Sequence, residues 1–146
     1  MAIPSRTARP GTYFITTATH NRRRLFQVER NAELLLATLD HYRAGYLLHA
    51  DLVMPDHLHL LMTPTNITLE RTMQLIKGGF SHRLESKLPV WQRGFTDHRI
   101  RDTSDFSIRR NYIQQNPVGA ALCQSPEEYS HSSANPKLRL DEYLSG

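Results

Sequence analysis

Two histidines, His57 and His59, flank Leu58 in the apolar run Met54-Pro55-Asp56-His57-Leu58-His59-Leu60-Leu61-Met62-Thr63-Pro64. In an extended chain, side chains two residues apart share a face and lie roughly 6–7 Å apart. The two imidazoles therefore project side by side, while Leu58, Leu60 and Met62 take the opposite face. Parallel imidazoles can grip a metal ion if a third ligand arrives from elsewhere in the chain. The plainer reading is a strand with two histidines on a half-exposed surface, and the local pattern leaves both open. A second group with chemical reach is Tyr112, with Asn116 one helical turn on and Gln115 beside it. On periodicity alone this tyrosine reads as core packing and Asn116 as the end of a helix.

Several elements must position these groups. Thr12 to Thr19 is dense in β-branched and aromatic residues and predicts a first strand. The basic loop His20-Asn21-Arg22-Arg23-Arg24 follows. From Asn31, read as an N-cap, the residues Ala32, Leu35, Leu36, Leu39 and Tyr42 recur at helical spacing to about residue 43. Leu47 to Met54 predicts the second strand, joined to the histidine strand at Pro55-Asp56 by a loop wider than a two-residue hairpin, because proline fixes a negative φ. Thr68 caps a long helix with Leu69, Met73, Ile76, Phe80 and Leu84 on one stripe. Gly78-Gly79 is expected to break it or to mark the close approach of another backbone. Thr96 to Arg101 is a short strand candidate, and Asp102, Thr103 and Ser104 offer caps for a third helix. That helix should stop near Asn116, since a residue before proline is pushed out of helical geometry.

The order strand, helix, two strands, helix, strand, helix is met most economically by one four-stranded antiparallel sheet with its main helices on one face. That is a ferredoxin-like α+β arrangement, with the other sheet face left for a ligand. The 146 residues fit a single domain over 1–146, with an N-terminal arm over 1–10 and a C-terminal tail over 124–146. A single cysteine, Cys123, fits a reducing compartment, and no apolar run approaches the roughly 20 residues of a membrane span. The expectation is a soluble cytoplasmic protein without a membrane partner. The net charge of +4 suits a polyanion without requiring one.

Five segments in order, Met54 to Leu61, Val90 to Phe95, Asp97 to Asp102, Arg109 to Val118 and Tyr129 to Ala134, resemble the REP-associated tyrosine transposases. These are bacterial, single-tyrosine members of the HUH nuclease superfamily, and the similarity runs from about Thr12 to Ala134. The resemblance implies a ferredoxin-like palm. It implies that His57, His59 and Asn116, with Gln115 as the backup, hold Mg²⁺ or Mn²⁺, and that Tyr112 is the nucleophile. One departure stands out: after Asn116-Pro117-Val118 the family usually has a basic residue and Ala-Gly-Leu, where this chain has Gly119-Ala120-Ala121-Leu122.

The implied reaction is transesterification of single-stranded DNA beside a palindromic hairpin, through a 5′-phosphotyrosine, by a protein that associates with the nucleoid when it acts. A free phenol titrates near about 10, so the tyrosine must lose its proton to act. Arg22, Arg23, Arg24, Lys77, Arg93 and Arg99 are the candidates for backbone contacts with DNA. Relatives include monomers and dimers that exchange the tyrosine helix, which leaves a homodimer open. The rivals are a non-catalytic binder of DNA or RNA hairpins and a metal-dependent hydrolase that uses water.

Overall fold

The computed structural model describes residues 11–144, so the arm expected over 1–10 lies outside the described residues. The elements are β1 (Tyr13–Ala18), α1 (Glu29–His41), β2 (Tyr46–Met54), β3 (His57–Pro64), α2 (Leu69–Leu84), β4 (Thr96–Arg99) and α3 (Thr103–Gly119). The four strands form one sheet in the order β2-β3-β1-β4, every neighbouring pair antiparallel. This is the ferredoxin-like arrangement that the element order predicts.

Strand alternation divides the sheet into two faces. On one face Tyr13, Ile15, Leu58, Leu60 and Met62 pack against Ala32, Leu35 and Leu39 of α1 and Met73, Ile76 and Phe80 of α2. The Tyr46 hydroxyl, buried in this layer, donates to the Leu39 carbonyl at 2.6 Å. On the other face Ala50, Leu52, Met54 and Leu61 pack against Ile100 and against Phe106 and Ile113 of α3. The face expected to stay open is therefore partly roofed by the helix that carries the tyrosine. Asp102 caps α3 by accepting from the Asp105 N–H at 2.8 Å, and Asp105 accepts from His98 Nε2 at 2.8 Å, which ties α3 to β4.

Four local expectations change. Helix α1 starts at Glu29, and Asn31 instead donates its side-chain amide to the Leu25 carbonyl at 2.9 Å. Helix α2 runs unbroken through Gly78-Gly79. A Cβ on Gly79 would lie 2.6 Å from the Tyr42 hydroxyl, so it is a tyrosine ring rather than another backbone that needs the space. The β2–β3 connection is only Pro55-Asp56, with Met54 paired to His57. Neither turn residue has a positive φ. External bonds hold it, from Phe26 N–H to the Pro55 carbonyl and from Thr19 N–H to the Asp56 carbonyl, both 3.0 Å. Helix α3 continues past Asn116 to Gly119 with Pro117 inside it. The ring of Pro117 is buried, and that burial offsets the ladder N–H that proline lacks.

The expected tail is partly structured. Ser132 bridges Leu52, Val53 N–H donates to the His131 carbonyl, and Ser133 N–H donates to the Asp51 carbonyl, so the chain covers the free edge of β2. Unpaired strand edges invite pairing with other chains, and this one is blocked.

Candidate active site

The β1–β3 register sets the centre of the site. It places Thr16 opposite His59 and Ala18 opposite His57, all on the α3 face. His59 is buried at 4% exposure, its ring stacked 5.3 Å from Phe14 and its Nδ1 2.9 Å from the Thr16 hydroxyl. His57 sits beside it, ring centroids 4.7 Å apart, with Nδ1 2.7 Å from Asp56 Oδ1.

Helix α3 crosses above. Its Tyr112 ring lies edge-on to His59 at 5.6 Å and to Phe14 at 5.8 Å. One turn later the Asn116 amide nitrogen is 3.3 Å from His59 Nε2. Gln115, the sequence alternative, is exposed, so Asn116 is the amide that meets the histidines. Tyr112 is 51% exposed, an unusual place for a tyrosine kept for packing and a suitable one for a group that must meet a large substrate. Persistence of the helix through Pro117 is what keeps Asn116 on the tyrosine's side.

Burial, then the neighbouring His57, lowers the pKa of His59 to about 3, so the ring is a neutral imidazole at physiological pH. Burial alone would raise Asp56, but its hydrogen bond from His57 and the nearby Arg22 outweigh that and hold the carboxyl below its ordinary range. With the amide oriented as found, Asn116 donates to a bare Nε2 of His59, which leaves the ring hydrogen on Nδ1 for Thr16. No group of three or more His, Cys, Asp or Glu side chains able to hold a metal is found among the described residues. A cation here would rest on the two Nε2 lone pairs and, after a half-turn of the amide, the Asn116 carbonyl oxygen. Imidazole nitrogens and an amide oxygen are donors a divalent cation accepts, and imidazole by itself does not select magnesium over zinc or nickel.

The six basic residues scatter in role. Arg22 pairs with Asp56 at 3.0 Å, and Arg23 donates to the Pro89 carbonyl at 2.9 Å. Lys77 is engaged inside the fold, its ammonium donating to the carbonyls of Gln92 and Gly94 at 3.0 and 2.6 Å. Arg24 and Arg93 are exposed, and Arg99 lies on β4. Arg22 and Arg93 share a cleft of about 330 Å³ with Thr16, Ala18 and Phe95, directly beside the histidine pair. Trp91 belongs to the core, its indole N–H donating to the Lys77 carbonyl at 2.9 Å. Sequence reasoning missed Phe14, Thr16 and Asp56 as members of the site. Asp56 could have been noticed from its place beside His57, but only the β1–β3 register reveals the other two.

The IS200-like transposase family matches residues 10–116, the stretch that holds both histidines, Tyr112 and Asn116. The chain belongs to that family. A REP-associated tyrosine transposase of Escherichia coli is 31% identical over 111 residues, covering 74% of this chain and 67% of the relative. A Haemophilus influenzae protein assigned to the same group is 27% identical over 151 residues, 91% of this chain and 85% of its own. A solved REP-associated tyrosine transposase bound to a REP hairpin superimposes with a TM-score of 0.80 at 23% identity, covering 100% of this chain and 97% of that one. A Deinococcus radiodurans structure assigned as a transposase gives 0.51 at 19% identity, over 76% of this chain and 95% of its own. The IS200-like match and the tyrosine-transposase relatives make this chain a transposase, and the two structures agree on its ferredoxin-like fold. Among the described residues no helix is long and apolar enough to cross a membrane.

Proposed function

We propose that this transposase cleaves and rejoins single-stranded DNA beside a hairpin through a 5′-phosphotyrosine on Tyr112, with Mg²⁺ or Mn²⁺ held by His57, His59 and Asn116. One observation carries the reading: an exposed tyrosine on α3 meets a buried, neutral histidine at 5.6 Å, and Asn116, one turn further along the same helix, bonds that histidine. The bound cation would supply charge neutralisation on the phosphate and on the departing 3′ oxygen.

The chain's own residues account for the rest. The Tyr112 oxygen forms a bond to phosphorus as the bond to the 3′ oxygen breaks; the phenol proton passes to solvent, and the departing 3′ oxygen takes up a proton from solvent. The fragments carry a phosphotyrosine at one 5′ end and a free hydroxyl at the other 3′ end. A second 3′ hydroxyl reverses the step without ATP, because the phosphodiester is exchanged rather than hydrolysed. Phe14 holds the histidine and tyrosine rings at fixed separations. The cleft with Arg22 and Arg93 offers positive charge to the strand that leaves the site. A hairpin substrate is supported by the REP hairpin bound in the structural neighbour of the same fold.

The test is a denaturing gel of the protein incubated with a hairpin oligonucleotide bearing single-stranded flanks, with Mg²⁺ or Mn²⁺. A covalent protein–DNA band is expected, and Tyr112→Phe removes both the band and the cleavage. Cleavage that survives Tyr112→Phe assigns the chemistry to water. Binding without an adduct in either ion returns the protein to a hairpin-binding role.

A further inference from the structure

We propose that Asp56 positions His57 by fixing its Nδ1–H tautomer, and that Arg22 clamps Asp56 in place. This rests on the reading of His57 as a metal ligand. Both oxygens of the Asp56 carboxylate are engaged: Oδ1 lies 2.7 Å from His57 Nδ1 and Oδ2 lies 3.0 Å from Arg22 Nε. An ionised carboxylate has no hydrogen to give, so the hydrogen in the first contact belongs to the imidazole. In the neutral ring, that leaves Nε2 of His57 as a bare lone pair. His59 reaches the same state by a different route, since the Thr16 hydroxyl can donate or accept and the Asn116 amide can turn over. The Asp56 contact has a single permitted polarity, because an ionised carboxylate can only accept.

The backbone holds the carboxylate where it is needed. Asp56 is half of a two-residue turn, and its carbonyl accepts the N–H of Thr19 at 3.0 Å, while the Thr19 hydroxyl donates to the Arg23 carbonyl at 2.7 Å. Arg22 reaches it from a loop in which Asn21 and Arg22 both have φ of 54°, consecutive left-handed residues with side chains. Such geometry is unfavourable for residues that carry a Cβ and persists where surrounding contacts enforce it. An exposed ion pair returns little stability, and the Arg22 side chain is 57% exposed. The strained loop is better explained by where it puts the guanidinium: against the carboxylate that orients His57, in the cleft beside the site.

The first measurement is the long-range ¹⁵N–¹H spectrum of the imidazoles in metal-free protein near pH 8. The wild type should show His57 protonated on Nδ1. Asp56→Ala should move it to the Nε2–H form that a free neutral imidazole prefers, and Asp56→Asn, whose amide donates and accepts, should give a mixture. The second is Mn²⁺ titration by calorimetry, in which both variants should bind about 10–100-fold more weakly. Arg22→Ala should lose less. Circular dichroism matching the wild type excludes misfolding, and Asp56→Asn serves if Asp56→Ala fails to fold. An unchanged tautomer in the variants, or unchanged Mn²⁺ affinity, overturns the proposal. If the wild type takes up no Mn²⁺, the metal reading falls, and the spectra still decide whether Asp56 sets the His57 tautomer.

Discussion

His59 and Leu60 are neighbours in β3, buried at 4% and 0% exposure, yet they belong to different layers. Leu60 points to the face closed by α1 and α2, where it belongs to the larger apolar cluster. His59 points to the face crossed by α3, where its partners are a hydroxyl, an amide and two aromatic rings. The first layer is insensitive to direction, since dispersion and water exclusion ask only for volume. The second adds directional contacts around His59 to an apolar cluster of its own, and its helix presents an exposed tyrosine to solvent. A small domain can carry a partly polar, half-open face because the other face is closed by two helices.

Substituting each neighbour breaks the comparison most sharply. Leu60→Ala should cost about 2–5 kcal/mol in urea denaturation, because a sealed layer cannot collapse around the lost atoms. His59→Ala should cost less than that in the same measurement while abolishing the DNA adduct. An equal stability loss at the two positions would mean that the faces are not divided as described.

Acid should distinguish the faces next. The folded pKa of His59 is held at about 3 against an ordinary 6.5, so unfolding takes up a proton between those values. Stability from this group is complete above about 6.5 and declines as pH falls toward about 3. A pH series of urea midpoints should show that slope in the wild type and a shallower one in His59→Ala.

Smaller effects lie at the helices of each face. Ala121, just past α3, sits at φ 61°, the left-handed region, at a position where the family usually has glycine. Its N–H donates to the Val118 carbonyl at 3.0 Å, and Leu122 N–H donates to the Pro117 carbonyl at 2.9 Å, so the turn closes with alanine in that conformation. Ala121→Gly should stabilise by about 0.5–1 kcal/mol, relief of the strain exceeding the added freedom of the unfolded chain. On the opposite face, Gly78→Ala meets nothing within 4 Å and should stabilise by about 0.5–1 kcal/mol. At Gly79 the same change must displace Tyr42 and should lose that gain. Thermal melts of the three variants check both ends.

Where periodicity was strong, the sequence alone was enough for the architecture. The Thr68 cap, the apolar stripe of α2 and the alternation in β1 and β3 all appear in the structure. Local rules failed where tertiary contacts overrode them. Pro117 stays in a helix because its ring is buried, Gly79 serves to leave room for Tyr42 rather than to break α2, and Pro55-Asp56 closes tightly because Phe26 and Thr19 hold it.

By itself, the sequence determined the kinds of groups available and their local spacing: two histidines on one strand face, and a tyrosine and an asparagine one helical turn apart. Those follow from the periods of strand and helix, which are properties of the backbone. Only the tertiary structure decided that Asn116 rather than Gln115 meets His59, that Lys77 is engaged inside the fold, and that Phe14, Thr16 and Asp56 complete the site. Strand register and the placement of α3 on the sheet join residues far apart in the chain, and no local period encodes a distance between such partners.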